Sequence, residues 1–196
     1  MNEYAGEVGT KEQSYGARVA KEVLLSRGAK AGIAWLIALI LAAVFAPLIA
    51  NTHPYIMVVA GEYSSPLFKH LSWVDLALLS TFLVASFIWM FLTMLAASRR
   101  ILLIIISSVV ITLLCSVFVT NPRAVVYDQY RQGIEVGEID VAFFAPIPYS
   151  PTDRSRDDPV PLQSPDLTHL LGTDEDGADV LSRMIHGSRI ALGIGV

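Results

Sequence analysis

Three long apolar runs constrain the fold of this chain more than any other feature. They are residues 31–50, 72–97 and 101–120, and Asp75 is the only acidic residue within them. A helix needs about 20 predominantly apolar residues to cross the hydrocarbon core of a bilayer. Lipid offers no partner for backbone N–H and C=O groups, so such runs cross as helices. The sequence therefore predicts an all-α membrane protein with three complete transmembrane helices.

The charges that flank the runs predict their orientation. Residues 1–30 are a polar tail, and four basic residues lie close to the first run: Arg18, Lys21, Arg27 and Lys30. Residues 98–100 (Ser-Arg-Arg) form a tight turn between the second and third runs. Basic residues favour the cytoplasmic side. Both features predict a cytoplasmic tail and turn, and they make residues 51–71 an extracytoplasmic loop.

Two side chains within the runs have simple expected roles. Ser72 and Asp75 have the S-x-x-D spacing of a helix capping box. An acid inside a membrane is also a candidate proton relay, but Asp75 lies at the end of its run, which favours the cap. Cys115 is the only cysteine, so it cannot form a disulfide within the chain. We expect it to be a small apolar residue of the third helix.

Residues 121–187 form a long segment that the span count places outside the cytoplasm. It contains five basic and twelve acidic residues, which fits the translocated side. Six prolines between Pro146 and Pro165 predict extended, irregular backbone. Val141–Tyr149 is apolar, and two readings stay open for it: a short strand, or packing on the membrane face. The net charge of −4 gives no indication of a nucleic-acid partner.

A short amphipathic helix is predicted to close this segment. Thr173 is a suitable N-cap, and Asp176 has the capping-box spacing from it. Asp179 and Arg183 have the favourable i, i+4 order of an ion pair, and we expect both to face water. We expect Gly187 to interrupt this helix, and residues 188–196 to begin a fourth span. The predicted apolar face consists of Val180, Leu181, Met184 and Ile185.

The segment LGTDEDGADVLSRMIHGSRIALGIGV resembles a block that precedes a membrane helix in one permease family. The family comprises the C-type permease subunits of bacterial ABC importers for dipeptides, oligopeptides and nickel. Ala178 and Ala191 depart from its pattern. The residues that match, in order and without gaps, are Leu171, Gly172, Thr173, Asp174, Gly177, Asp179, Val180, Ser182, Arg183, Gly187, Arg189 and Leu192.

The resemblance implies a function, a location and partners. The chain would be a multi-pass permease subunit of the bacterial inner membrane, in an importer for peptides or similar small solutes. It would act with a second permease subunit, two ATPase subunits and an extracytoplasmic solute-binding protein. In the family, the translocation core and its cytoplasmic coupling loop follow this block. We therefore expect the chain to be an N-terminal fragment, truncated before that core.

The sequence predicts no chemistry of its own. It has no G-x-x-x-x-G-K-[ST] phosphate loop and no G-x-S-x-G, H-E-x-x-H or C-x-x-C motif. The acids around Gly177 do not have the spacing of a calcium loop, and His53 and His70 lack a third ligand at a usual spacing. We expect no enzyme activity, no cofactor and no metal, and we expect the matched motif residues to be structural.

An alternative from another class remains open. The common family pattern has one helix before the L-G-T-D block, whereas this chain has three apolar runs. The additional hairpin, Ser72 to Val119, is compatible with a small polytopic scaffold or receptor that acts through its acidic outer segment. Co-purifying proteins discriminate between the two, because a scaffold should be isolated without an ATPase or a second permease.

Overall fold

The computed structural model describes residues 25–120, 129–151 and 161–195. Predictions for residues 1–24, 121–128, 152–160 and 196 lie outside this part of the chain. The elements, in chain order, are α1 (Arg27–Ile49), β1 (Ile56–Val59), β2 (Glu62–Ser64), α2 (Pro66–Lys69), α3 (Trp73–Phe91), α4 (Ala97–Phe118), α5 (Gln129–Glu135), β3 (Val141–Phe143) and α6 (Val180–Gly195). The chain divides into two compact units, and the second begins at Leu39, inside α1.

Three of the helices are long and apolar enough to cross a membrane. They are α1, α3 and α4, with 23, 19 and 22 residues. At a rise of about 1.5 Å per residue they are roughly 28–35 Å long, which matches a hydrocarbon core of about 30 Å. Most of their large apolar side chains are exposed on the protein surface, as expected where lipid is the solvent. The predicted class, a helical membrane protein with three spans, is confirmed.

The turn between α3 and α4 lies earlier than the sequence predicted. We placed it at residues 98–100, whereas α3 ends at Phe91 and α4 begins at Ala97. Arg100 is therefore in the first turn of α4, and its side chain folds back over the preceding residues. Its Nε donates to the Leu95 carbonyl (2.9 Å) and its Nη2 to the Thr93 carbonyl (3.3 Å). These bonds satisfy backbone acceptors in a turn that no Gly, Pro or Asn marks in the sequence.

A small antiparallel sheet, which the sequence did not predict as a whole, brings together the loop between α1 and α3 and the segment after α4. Its strand order is β2-β1-β3. Ala60 and Gly61 both have positive φ (49° and 81°), as a two-residue type I′ hairpin requires. β3 pairs with β1 in the register Met57↔Ala142, so the strand reading of residues 141–149 is correct for their first three residues. The sheet joins the 51–71 loop to the acidic segment.

The helix α6 differs from its prediction in two respects: where it begins, and whether Gly187 interrupts it. It begins at Val180 rather than near Thr173, and it continues through Gly187 to Gly195. A glycine inside a helix costs about 1 kcal/mol relative to alanine but does not end it. Residues 173–179 instead form a compact turn, in which Thr173 and Asp179 make an isolated antiparallel bridge.

Candidate functional site

The candidate site is the motif loop, residues 162–179, together with the helix α6 that follows it. Gly172 has a φ of +74° and lies against the Gln163 carbonyl, where a Cβ would clash with the backbone. Thr173 and Gln163 bond each other twice. The Thr173 N–H donates to the Gln163 carbonyl (3.1 Å), and the Gln163 N–H donates to Thr173 Oγ1 (2.9 Å). Thr173 is thus a link within the loop, and the prediction that it caps the helix is wrong.

The acidic residues of the motif fold around Arg183 instead of starting the helix. Asp174 accepts hydrogen bonds from the N–H groups of Asp176 (2.9 Å) and Ala178 (3.0 Å), and it pairs with the Arg183 guanidinium. Arg183 also lies 3.7 Å from Asp176 and donates to the Pro151 carbonyl (3.2 Å). Burial raises the pKa of Asp174, but the N–H donors and the Arg183 charge outweigh it and leave that pKa below its usual value.

Asp179 is the true N-cap of α6. Its Oδ1 accepts from the Ser182 N–H (2.7 Å), and its Oδ2 bonds His169 Nδ1 (2.9 Å). Its side chain is only 2% exposed, so the prediction that Asp179 faces water and pairs with Arg183 is wrong. The buried Ser182 hydroxyl donates to the Tyr149 carbonyl (2.9 Å). Two motif residues therefore join the start of α6 to the loop and to the segment after β3.

A stack of three side chains includes the His169 ring that bonds the Asp179 N-cap. Tyr149 lies on the His169 ring, with centroids 4.3 Å apart, and the Arg131 guanidinium lies 4.5 Å from the centre of the Tyr149 ring. Burial raises the pKa of Tyr149, and the Arg131 charge opposes that shift. No local pattern in the sequence predicts this stack, because its members lie on three segments separated by 18 and 20 residues of chain.

Arg189 joins α6 to two of the long helices. Its Nη1 is 2.6 Å from Asp75 Oδ1, and its Nε donates to the Ala43 carbonyl in α1 (2.8 Å). Asp75 Oδ2 accepts from the Ser72 N–H (2.9 Å), and the Asp75 N–H donates to Ser72 Oγ (3.2 Å). The predicted capping box is confirmed. The same carboxylate thus caps α3 and binds a motif residue 114 positions later.

Two histidines that the sequence singled out do lie together. The rings of His53 and His70 stack with centroids 4.1 Å apart, and His53 Nδ1 bonds the Tyr130 hydroxyl (3.1 Å). Burial, followed by the neighbouring His70 charge, lowers the pKa of His53 to about 4. Within residues 25–120, 129–151 and 161–195, no group of three His, Cys, Asp or Glu side chains is placed to hold a metal ion.

The remaining motif residues differ in their exposure and backbone conformation. Leu171 is exposed, Val180 and Gly187 are partly exposed, and Gly177 has the positive φ (77°) that its turn requires. The motif side chains that are buried or paired hold the loop against α6. Their partners are backbone groups, one another, and the side chains of His169, Asp176 and Asp75. This arrangement fixes the first turn of α6 against the loop and the segment after β3.

Curated proteins with related sequences are permeases of dipeptide transport systems. The chain is 48% identical over 61 residues to the di/tripeptide transport system permease protein DppC of Pseudomonas aeruginosa, a match that covers 28% of this chain and 20% of that protein. It is 42% identical over 52 residues to the dipeptide transport system permease protein DppC of Escherichia coli (24% and 17% covered). For the same-named protein of Alkalihalophilus pseudofirmus, the identity is 34% over 55 residues (28% and 18% covered).

The matches confirm the resemblance and define its extent. The chain spans about a fifth of the length of the first of these relatives and less of the others. No family model and no solved structure matches. The relatives are transport proteins, and with three helices long enough to cross a bilayer they indicate a multi-pass protein of the inner membrane.

Proposed function

We propose that this chain is a permease subunit of an ABC importer for peptides or similar small solutes, with its N-terminus in the cytoplasm. The observation that carries the proposal is the identity with three dipeptide permeases. The geometry supports it, since the matched motif residues build a rigid turn at the head of a helix. A permease needs no reactive groups, because its task is to hold helices that alternate access to the two sides.

The motif loop would set the position at which α6 enters the membrane. Asp179 and Ser182 fix its first turn, and Arg183 is held by Asp174 and the Pro151 carbonyl. Nearly two helical turns further on, Arg189 binds α1 and α3. With both the head and the body of the helix anchored, its direction would be determined before any neighbouring subunit binds.

ATP hydrolysis would come from partner subunits, since the chain has no phosphate-binding loop. We propose a second permease subunit, two ATPase subunits and an extracytoplasmic solute-binding protein as its partners. The matched motif residues would be structural in this assembly. Asp75 would act as a cap and ion-pair partner, and we assign it no proton transfer.

Co-purification from the native membrane tests the proposal. An affinity tag at the N-terminus of the chain, followed by mild detergent extraction and mass spectrometry, should recover a second permease and ATPase subunits in stoichiometric amounts. A tagged Gly172→Asp variant serves as control, because the side chain would clash with the Gln163 backbone and should reduce the recovery. Isolation of the wild-type chain alone, or with unrelated membrane proteins, would contradict the proposal.

The scaffold reading retains one observation in its favour, the α3–α4 hairpin. None of the residues of α4 is buried, so this helix offers a long surface for a neighbour. However, the Arg189–Asp75 contact binds the hairpin to the motif helix, as expected if both belong to one permease unit. The same purification distinguishes the two functions, since a scaffold would bring down no ATPase.

A further inference from the structure

The turn between α3 and α4 has a composition that is unsuitable for exposure to water. Its five residues, Leu92-Thr93-Met94-Leu95-Ala96, carry no charge and include none of the Gly, Pro, Asn or Asp that solvated turns favour. Met94 is fully exposed on the protein surface (101%). Loops in contact with water are normally polar, so this turn is built to lie in the interfacial layer of a bilayer.

An aromatic ring and an arginine mark the depth of this turn. Trp89 is 55% exposed, and the Arg100 guanidinium lies 5.3 Å from the centre of its ring. Trp is enriched where the headgroups meet the acyl chains, and Arg side chains extend from apolar surface toward the headgroups. The pair therefore places the turn at the level of the lipid phosphates.

The charge at this level is positive and unopposed. Arg99 is exposed, and its side chain has no hydrogen bond or ion pair within the part of the chain that the structure describes. No Asp or Glu occurs between Leu76 and Thr120, so nothing nearby on α3 or α4 neutralises the two arginines. An apolar turn with a basic rim is complementary to a layer of anionic headgroups over acyl chains.

We infer that the α3–α4 turn is a binding site for anionic phospholipid, with the phosphate held by Arg99 and Arg100 and the acyl chains contacted by Met94 and Trp89. Arg99 binds as a free guanidinium. Arg100 keeps its full positive charge, because the Leu95 and Thr93 carbonyls to which it donates are neutral. The occupant is a lipid of the surrounding bilayer, because the apolar turn has no role in binding a free phosphate ion. The hairpin is thereby attached to one leaflet.

Fluorescence quenching of Trp89 tests this inference. The chain has three tryptophans, so Trp35→Phe with Trp73→Phe leaves Trp89 as the only reporter. The full chain is reconstituted in vesicles of equal parts phosphatidylcholine and phosphatidylglycerol, with bromine atoms near the carbonyl end of the acyl chains on one lipid at a time. Brominated phosphatidylglycerol should quench Trp89 more strongly, and high salt should reduce the difference.

Charge variants test whether the two arginines cause the preference of the turn for phosphatidylglycerol. Arg99→Gln should lower the phosphatidylglycerol preference about fivefold, and Arg99→Gln with Arg100→Gln should abolish it, following the attraction expected for each basic residue near an anionic surface. Lys69→Gln removes one charge beyond the opposite end of α3 and should leave the preference unchanged. Equal quenching by the two lipids would overturn the inference, as would a preference that survives the double arginine substitution in a protein of unchanged helix content.

Discussion

The ion pair between Asp75 and Arg189 should contribute more to stability than any exposed pair in the chain. Their side chains are 13% and 19% exposed, so replacing either one leaves the other charge poorly solvated. Removing one partner of a buried pair costs about 3–5 kcal/mol, and partial exposure reduces this to roughly 2–4 kcal/mol. Asp75→Asn and Arg189→Gln should each lower the free energy of unfolding by that amount.

The two substitutions should also be coupled. In the Asp75→Asn protein, the Arg189 charge is unpaired and poorly solvated, and this destabilises the fold. Replacing Arg189 in that protein removes the unpaired charge, which offsets part of the cost of losing the bond to the Ala43 carbonyl. The double variant should therefore cost about 1–3 kcal/mol less than the sum of the singles. Arg189→Lys should be intermediate, because an ammonium cannot bond Asp75 and the Ala43 carbonyl in the geometry of a guanidinium. Unfolding in mixed micelles of increasing sodium dodecyl sulfate, followed by circular dichroism, measures each step of the cycle.

Asp176→Asn is the matched control for this cycle. It removes a carboxylate that is 53% exposed and lies 3.7 Å from Arg183, so it should cost under about 1 kcal/mol. Single substitutions at Asp75 and Arg189 that cost no more than this control would refute the reasoning. Strict additivity of the two would equally refute it, since the pair would then not be interacting in the folded protein.

The other predictions concern the motif loop and the histidine pair. Gly172→Ala should destabilise the protein by about 1–3 kcal/mol in the same micelle assay, because its φ is positive and a Cβ meets the Gln163 backbone; Gly187→Ala, in open helical surroundings, should be neutral or stabilising. For Asp174, whose pKa is lowered in the fold, the contribution to stability is present above its unfolded pKa and is lost as pH falls through the folded one. Asp174→Asn should flatten the stability profile in that acidic range, and an unchanged profile would contradict the Arg183 pairing. The pKa of His53 falls from 6.5 to about 4, so folding favours its neutral form and stability should decline as pH drops from 6.5 toward 4. His53→Gln should reduce that decline, and chemical-shift titration of the His53 ring provides the direct check.

The helical part of the fold was predictable because apolar run length is a direct consequence of bilayer thickness. The three spans were found for that reason, and the Ser72–Asp75 box was found because it is local in sequence. The α3–α4 turn was misplaced since the bonds from Arg100 to the Thr93 and Leu95 carbonyls replace the usual turn residues. No periodicity in an apolar sequence reveals such a bond.

The motif loop was recognised as a pattern but misread as a helix start. Thr173, Asp174 and Asp176 fit the rules for a cap equally well in a helix or in a tight turn, because both satisfy N–H groups with nearby oxygens. Long-range partners decided between them: Gln163 for Thr173, Arg183 for Asp174, and His169 for Asp179. Such partners depend on the fold of the whole segment between α4 and α6, which the proline-rich sequence left undefined.

Peptide uptake in the native cell tests the central proposal most directly. The gene is deleted, and the entry of a labelled dipeptide is measured in cells that carry no plasmid, the wild-type gene or Arg189→Gln. We expect uptake to fall on deletion and to return with the wild-type gene, while Arg189→Gln, checked for its level in the membrane, restores it only partly. Uptake that is unchanged by the deletion, across dipeptides of apolar, acidic and basic composition, would contradict a role as a peptide permease subunit.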